Sequence, residues 1–399
     1  MAGTRTSWPQ VVLVCAAAIP AAIALGEIAL VAPLIRGDLG LSLPQLGWAV
    51  SAITAVAALL GTPAGLWTRR YGARRTLLVG LAVMAVAGGA SAAAWGFGVL
   101  LATRVVEGVG YLLVVVAAPD LLVRLTQAWG TDRAAALALW GTVIPIGLAV
   151  GGAVGGTLAQ AIGWRGWLGL IGALPLLAAT AVAAAIPPDP PAAHPASGPR
   201  SRPRRHGLRG PVLLAGGFCG VCLMGIAVLS LLPTFLVDQR GVSLATAGLA
   251  TGMVALASVP GSVVASWLLR RGAEPRLLSA TLLVMPLAAL VAFGTGGALG
   301  VGVAAAAVML LANGLAVAGV FAAVPRLVQD PSQIAIAIGL LTQLGSFGTL
   351  LGAPLFGSVV AATDLSAVAP LVGATTLLSL GLLLAAGSRR RRVPAKGPA

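Results

Sequence analysis

The stretch GLWTRRYGARRTLL at residues 65–78 returns as ASWLLRRGAEPRLL at residues 265–278. Each copy follows an apolar run and carries an Arg pair, a Gly and a further Arg in the same order. A short basic loop wedged between apolar runs and used twice is the mark of a chain built from two similar membrane-embedded halves. Working outward from the two loops, runs long enough to cross about 30 Å of hydrocarbon, roughly 20 residues each, fall at 10–35, 45–68, 76–95, 98–121, 134–162, 167–186, 212–237, 244–269, 277–293, 299–324, 334–361 and 367–386. The first run resembles a signal peptide at its start but continues apolar to Ile35, so it is read as an uncleaved span. With 58% hydrophobic residues, 9% charged and a mean hydropathy of +1.00 over 399 residues, the chain cannot be a water-soluble domain, which carries about 25% charged residues. The expected fold class is an all-α polytopic membrane protein of twelve transmembrane helices, since helices satisfy every backbone group within one segment.

The longest polar stretch, PPDPPAAHPASGPRSRPRRHGLRG at residues 187–210, divides the spans into six and six. Pro, Ser and Arg in that proportion cannot build a core. The expected organisation is therefore a first six-helix bundle at 1–186, a basic linker at 187–210, a second bundle at 211–387 and a basic tail at 388–399. Glycine-rich runs in the fifth and eleventh spans, GLAVGGAVGG from Gly147 and GTLLGAPLFG from Gly348, strengthen the echo between the halves.

Charge fixes the expected sidedness. Alternate loops collect 21 of the 25 basic residues, against Arg36, Arg165 and Arg240 on the other side and Arg104 within a span. Basic residues gather in short cytoplasmic loops, which puts both termini in the cytoplasm and makes the span number even. The net charge of +15 is spread between apolar runs instead of forming one face, so nucleic acid is not an expected partner.

Several function classes are excluded by inventory. Both histidines, His194 and His206, lie in the linker. Cys15, Cys219 and Cys222 sit in apolar runs without metal-ligand spacing. No metal, cofactor or intramembrane hydrolase chemistry is supported, and the protein is not expected to be an enzyme. The absence of a Walker loop rules out ATP drive within the chain. Ion gradients remain, with small molecules, protons and membrane lipids as partners. A passive channel is the alternative outside the carrier class.

These features together resemble the major facilitator superfamily over nearly the whole length. The loop after span two resembles its G-x-L-x-D-R-x-G-R-R signature through Gly65, Trp67, Arg70, Gly72, Arg74 and Arg75, and span four resembles R-x-x-x-G-x-G through Arg104, Gly108 and Gly110. Span five resembles the antiporter signature G-x-x-x-G-P-x-x-G-G through Gly147, Gly151, Gly155 and Gly156, with Gly152 in place of the Pro. The resemblance implies two pseudo-symmetric bundles, alternating access, a cell-membrane location and function as a monomer. It also implies a gating role for the loop, but Arg69 stands where the signature has an acid. The latch is then absent or uses another carboxylate, with Asp120 or Asp132 as the candidates.

Glu27, Arg104 and Glu107 are the ionisable residues placed within spans, and each costs a few kcal/mol there. At 1.5 Å per residue, Glu27 in span one and Arg104 in span four lie at the same depth, roughly 9 to 12 Å below the outer surface. Glu107 lies one turn further along the face of Arg104. A carboxylate, guanidinium, carboxylate group with a formal charge of −1 is expected, and burial favours protonation of one acid. Glu27 is the expected proton carrier and Glu107 the local partner of Arg104. The family resemblance favours the same choice, and a static ion pair with a neutral spectator acid is the alternative. The second bundle holds only neutral polar groups in its spans, so an uncharged or cationic substrate is expected. Asn313 and Gln343 are the candidate lining residues, with helix-to-helix hydrogen bonding as their alternative role. Proton-coupled export is the leading function and proton-coupled uptake its close alternative. Trp164, Arg165 and Trp167 read as an interfacial anchor.

Overall fold

Proline and glycine set the outline of the helices. In span one, Trp8–Ala17 and Ile19–Leu39 meet at Ala18, just before Pro20, whose missing N–H cannot continue the ladder. Span two begins at a capping box, in which Ser42 accepts from the Gln45 N–H and the Gln45 side chain accepts from the Ser42 N–H. It runs through Leu43–Ser51, a 3-10 turn at Ala52–Thr54 and Ala55–Tyr71.

A computed structural model describes residues 7–126, 136–137, 139–189, 209–294, 296–328 and 331–387; for 62–67, 69, 331–336 and 366 it describes the backbone alone. The remaining spans are Ala73–Ala92, Phe97–Leu125, Val143–Ala185, Arg209–Arg240, Leu244–Arg270, Pro275–Ala292, Leu299–Leu327, Pro331–Ala362 and Val368–Gly387. Among the described residues, eleven helices are long and apolar enough to cross a membrane. Val143–Ala185 has 43 residues and breaks at Gly163, where φ is +73°. Forty-three residues of unbroken helix would measure about 65 Å, twice a bilayer core, so this element makes two passes, spans five and six. Span seven starts at Arg209, two residues inside the stretch expected to be linker.

Because successive spans alternate in direction, Arg70, Arg74, Arg75, Arg124, Arg270, Arg271, Arg276 and Arg326 share one end, here the basic end. Arg36, Arg165 and Arg240 lie at the far end. The first bundle has two apolar layers. One, around Ile28, Ile35, Leu100, Trp167 and Leu168, fills its far half; the other, around Leu77, Leu81, Tyr111, Val114 and Leu121, fills its basic half. One larger cluster fills most of the second bundle, with a small one around Ala265, Leu278 and Leu315 beside it.

Small residues bring the two bundles together. A Cβ on Gly152 would stand 2.6 Å from Gly252 Cα, one on Gly156 would stand 2.8 Å from Ala245 Cα, and one on Gly47 would stand 2.6 Å from Pro354 Cα. At the far rim, Arg36 pairs with Asp238 across the bundles at 2.9 Å. These contacts run from the far rim to about mid-depth, and past it Ala55–Tyr71 of span two packs on Pro331–Ala362 of span eleven. Beyond them Ser258–Arg270 packs on span ten of its own bundle, where a Cβ on Gly261 or Gly314 would strike the facing backbone.

Candidate functional site

Arg104 sits where the two apolar layers of the first bundle meet. Its Nη1 donates to Glu27 Oε1 at 2.7 Å and to Glu107 Oε2 at 2.5 Å, its Nη2 to the Ala24 carbonyl at 2.7 Å and its Nε to the Ala49 carbonyl at 3.3 Å. Ala49 lies just before the 3-10 turn of span two, where the helical hydrogen-bond ladder changes register. Spans one, two and four are thus tied through one guanidinium. Arg104, Glu27 and Glu107 are 0%, 1% and 2% exposed. With both acids ionised the group carries one uncompensated negative charge in an apolar setting. Such a charge is expensive there, and one bound proton removes it.

The two acids have different surroundings. Glu107 Oε1 faces the contact between spans three and six; a Cβ on Gly88 would lie 3.7 Å from it and 2.9 Å from Gly172 Cα. Glu27 belongs to span one, whose Leu25, Gly26 and Ala29 border a void between the bundles. That void measures about 20 Å³, room for one water. Ser230 and Thr251 supply its hydroxyls. Each donates to its own helix, Ser230 to the Ile226 carbonyl and Thr251 to the Ala247 carbonyl, and keeps acceptor capacity. Thr234 borders the adjoining void on the side of span two.

Asn313 is buried within the second bundle and donates its amide to the Val221 carbonyl at 2.8 Å, joining spans ten and seven. Gln343 is half-buried on span eleven. The hydroxyls nearest the first bundle were harder to select from sequence, because Ser and Thr are scattered through all the spans. Their one signal is that Ser230 and Thr234 lie one turn apart on span seven.

The span-five glycines divide between two faces. Gly147, Gly151 and Gly155 recur every four residues, facing Ala22 and Ile23 of span one and the Trp167 ring of span six. Gly152 and Gly156 face span eight. The departure at Gly152 thereby has a physical reason, since a proline ring there would overlap the Gly252 backbone.

At the basic end, Gly72 turns with φ +89° into span three. Having no side chain, Gly72 cannot cap that helix, and Asp189, four residues after the end of span six, does so instead. The Asp189 carboxylate accepts from the Arg74 and Arg75 backbone N–H groups at 3.2 and 3.1 Å and pairs with Arg124 from the end of span four. Any Cβ on Gly72 would collide with that carboxylate. Arg74 donates to the Ala183 carbonyl at 2.7 Å, and Arg70 lies over the Tyr71 ring. Among the described residues the acid at this loop is Asp189, and Asp120 is exposed. Asp132 and the surroundings of Gly65 and Arg69 lie outside the described residues. Sequence spacing carried no signal for Asp189, because a residue beyond a helix end reaches its partners through tertiary packing.

The expectation for the turn between spans five and six is also corrected. Trp164 and Trp167 are buried inside the first bundle, not ranged along its rim.

Two bundles facing each other across a small-residue seam, with a charged group buried in the first, have the architecture of membrane transporters built from paired repeats. The model of the Major Facilitator Superfamily matches residues 12–353, and the chain belongs to that superfamily. It is 30% identical over 158 residues to the tetracenomycin C resistance and export protein of Streptomyces glaucescens, a match covering 40% of this chain and 29% of that protein. It is 31% identical over 142 residues to the hexuronate transporter of Bacillus subtilis, covering 35% and 32%. The matched stretch thus spans about a third of either relative. Among solved structures, a bacterial homologue of the human lysosomal transporter Spinster, inward-facing and occupied, superposes with a TM-score of 0.78 at 18% identity over 96% of both chains.

Proposed function

We propose that the protein exports a small neutral or cationic organic compound in exchange for protons, with its basic end at the cytoplasm. The observation that carries this reading is Arg104 shared by two buried carboxylates beside the seam between the bundles. One guanidinium compensates one carboxylate, so a single proton decides whether the group is neutral. Glu27, whose chain neighbours Gly26 and Ala29 border the inter-bundle void, is the acid whose hydration changes as the bundles part, and it carries the proton. Glu107, turned toward spans three and six, keeps Arg104 in place. Toward the far rim the seam is packed backbone to backbone at Gly152 and Gly156. Ser230, Thr234 and Thr251, with Gln343 as a further candidate, offer neutral hydrogen-bonding groups to substrate. Asn313 acts as a helix tie. Kinship to an antibiotic export protein supports the direction.

Retention of a panel of lipophilic cations and neutral antimicrobials, in cells carrying wild type or Glu27→Gln with and without a protonophore, tests the reading. Lower retention with wild type alone, abolished by protonophore, is the expected result. Export that persists unchanged in Glu27→Gln would remove Glu27 from the coupling path. The hexuronate relative favours a second reading, proton-coupled uptake, which the same assay reports as higher retention. Against an anionic substrate, Arg104 already spends its donors on Glu27, Glu107, Ala24 and Ala49.

A further inference from the structure

The left-handed turn at Gly163 starts span six so that Trp164, Trp167, Leu168 and Ile171 all face inward. That spacing puts them on one helical face. Trp167, with 0% exposure, is the largest fully buried side chain of the described residues. Its indole N–H donates to the Glu27 carbonyl at 3.3 Å, and its ring lies against Gly155, where a Cβ would come within 2.9 Å of Cζ2. The ring thus occupies the space between spans one, five and six on the far side of the ion group. Above it, Trp164 donates to Asp38 Oδ2 at 3.0 Å. Arg165 pairs with Asp38, donates to the Ala94 carbonyl at 3.1 Å and covers the Trp164 ring at 4.1 Å. Span one, the loop between spans three and four, and the turn after span five are thereby clasped over the Trp167 ring.

We propose that this turn is the outer seal of the ion group, with Trp167 as its plug and Asp38, Trp164 and Arg165 as the clasp that holds it. The inference rests on the reading of Glu27 as the proton carrier. The carbonyl that holds the plug, Glu27, and the glycine under its ring, Gly155, both belong to the first bundle, so the seal stays shut when the bundles rock, and protons reach Glu27 only through the space between the bundles. Coupling requires that restriction. A second, permanently open route would let protons pass Glu27 without substrate. Trp167 is a positioning residue in this scheme; it excludes water and touches neither substrate nor proton.

Purified protein in liposomes holding a pH-sensitive dye tests the seal under an imposed pH gradient with no substrate present. Trp167→Ala leaves a space that water can enter beside polar groups, and the expected result is a several-fold rise in proton flux over wild type. Adding Glu27→Gln to that variant should return the flux to the wild-type level. Trp167→Phe keeps the ring and loses only the N–H, and should remain tight. If Trp167→Ala fails to fold, the pair Asp38→Asn with Arg165→Gln, both at half-exposed positions, loosens the clasp and should leak to a smaller degree. A folded Trp167→Ala protein, or failing that the clasp variant, with wild-type flux overturns the proposal. Wild type that moves no protons with any substrate counts against the export reading, and the leak through Glu27 still decides the seal.

Discussion

Arg104 makes four hydrogen bonds from a site without solvent, and its loss should show in stability before it shows in transport. Arg104→Ala leaves two carboxylates buried without a counter-charge, a cost of about 3–5 kcal/mol, expected as a clear drop in the unfolding temperature of the purified protein. Arg104→Lys keeps the charge, but a compact ammonium cannot serve Glu27, Glu107, Ala24 and Ala49 together, so it should fall between wild type and Arg104→Ala. Replacing all three ionisable residues by Met, Gln and Gln removes the buried charge altogether; that protein should regain stability and show no proton coupling. The meeting of Glu27 with Arg104 was legible in the sequence, because helical rise and the alternation of spans place both residues at one depth. Their neighbours were not legible. Whether Glu107 turns its second oxygen toward Gly88 depends on how closely spans three and six pack, and no spacing in the chain encodes that distance.

Among the elements, the junction at Gly72 carries the most information. Asp189→Ala removes the cap of span three and the partner of Arg124 together, a loss of about 1–2 kcal/mol. Hydrogen exchange should find the amides of Arg74 and Arg75 exchanging faster while those in the middle of span three stay protected. Gly72→Ala should weaken the same junction by another route, through a left-handed backbone and a methyl group set against the carboxylate. The apolar runs foretold the spans because hydrocarbon thickness sets their length. The turn at Gly163 escaped the same reading, since a lone glycine inside a glycine-rich stretch gives no sign that its φ is positive, and the inward course of Trp164 and Trp167 follows from that one angle. By spacing alone the tryptophans therefore read as an interfacial anchor.

Across the whole molecule, the ion pair at the far rim adds little to the packing that closes it. Arg36 and Asp238 are 46% and 35% exposed, and a pair so wet contributes about 0.2–1 kcal/mol. Asp238→Asn should leave the unfolding temperature unchanged yet move the population toward conformations with the far rim apart, measured as the distance distribution between spin labels placed on the rims of the two bundles. Gly156→Val, which sets a branched side chain against the Leu244 and Ala245 backbone, should move the same distribution further and slow transport. The seam itself is backbone lying on backbone at Gly152 and Gly252. Such a joint has no teeth. Parting it requires no rotamer to unlock and leaves no side chain to catch on the way back, so it behaves as a plain bearing and not as a gear, and the path of the motion is steered by whatever grips the bundles elsewhere.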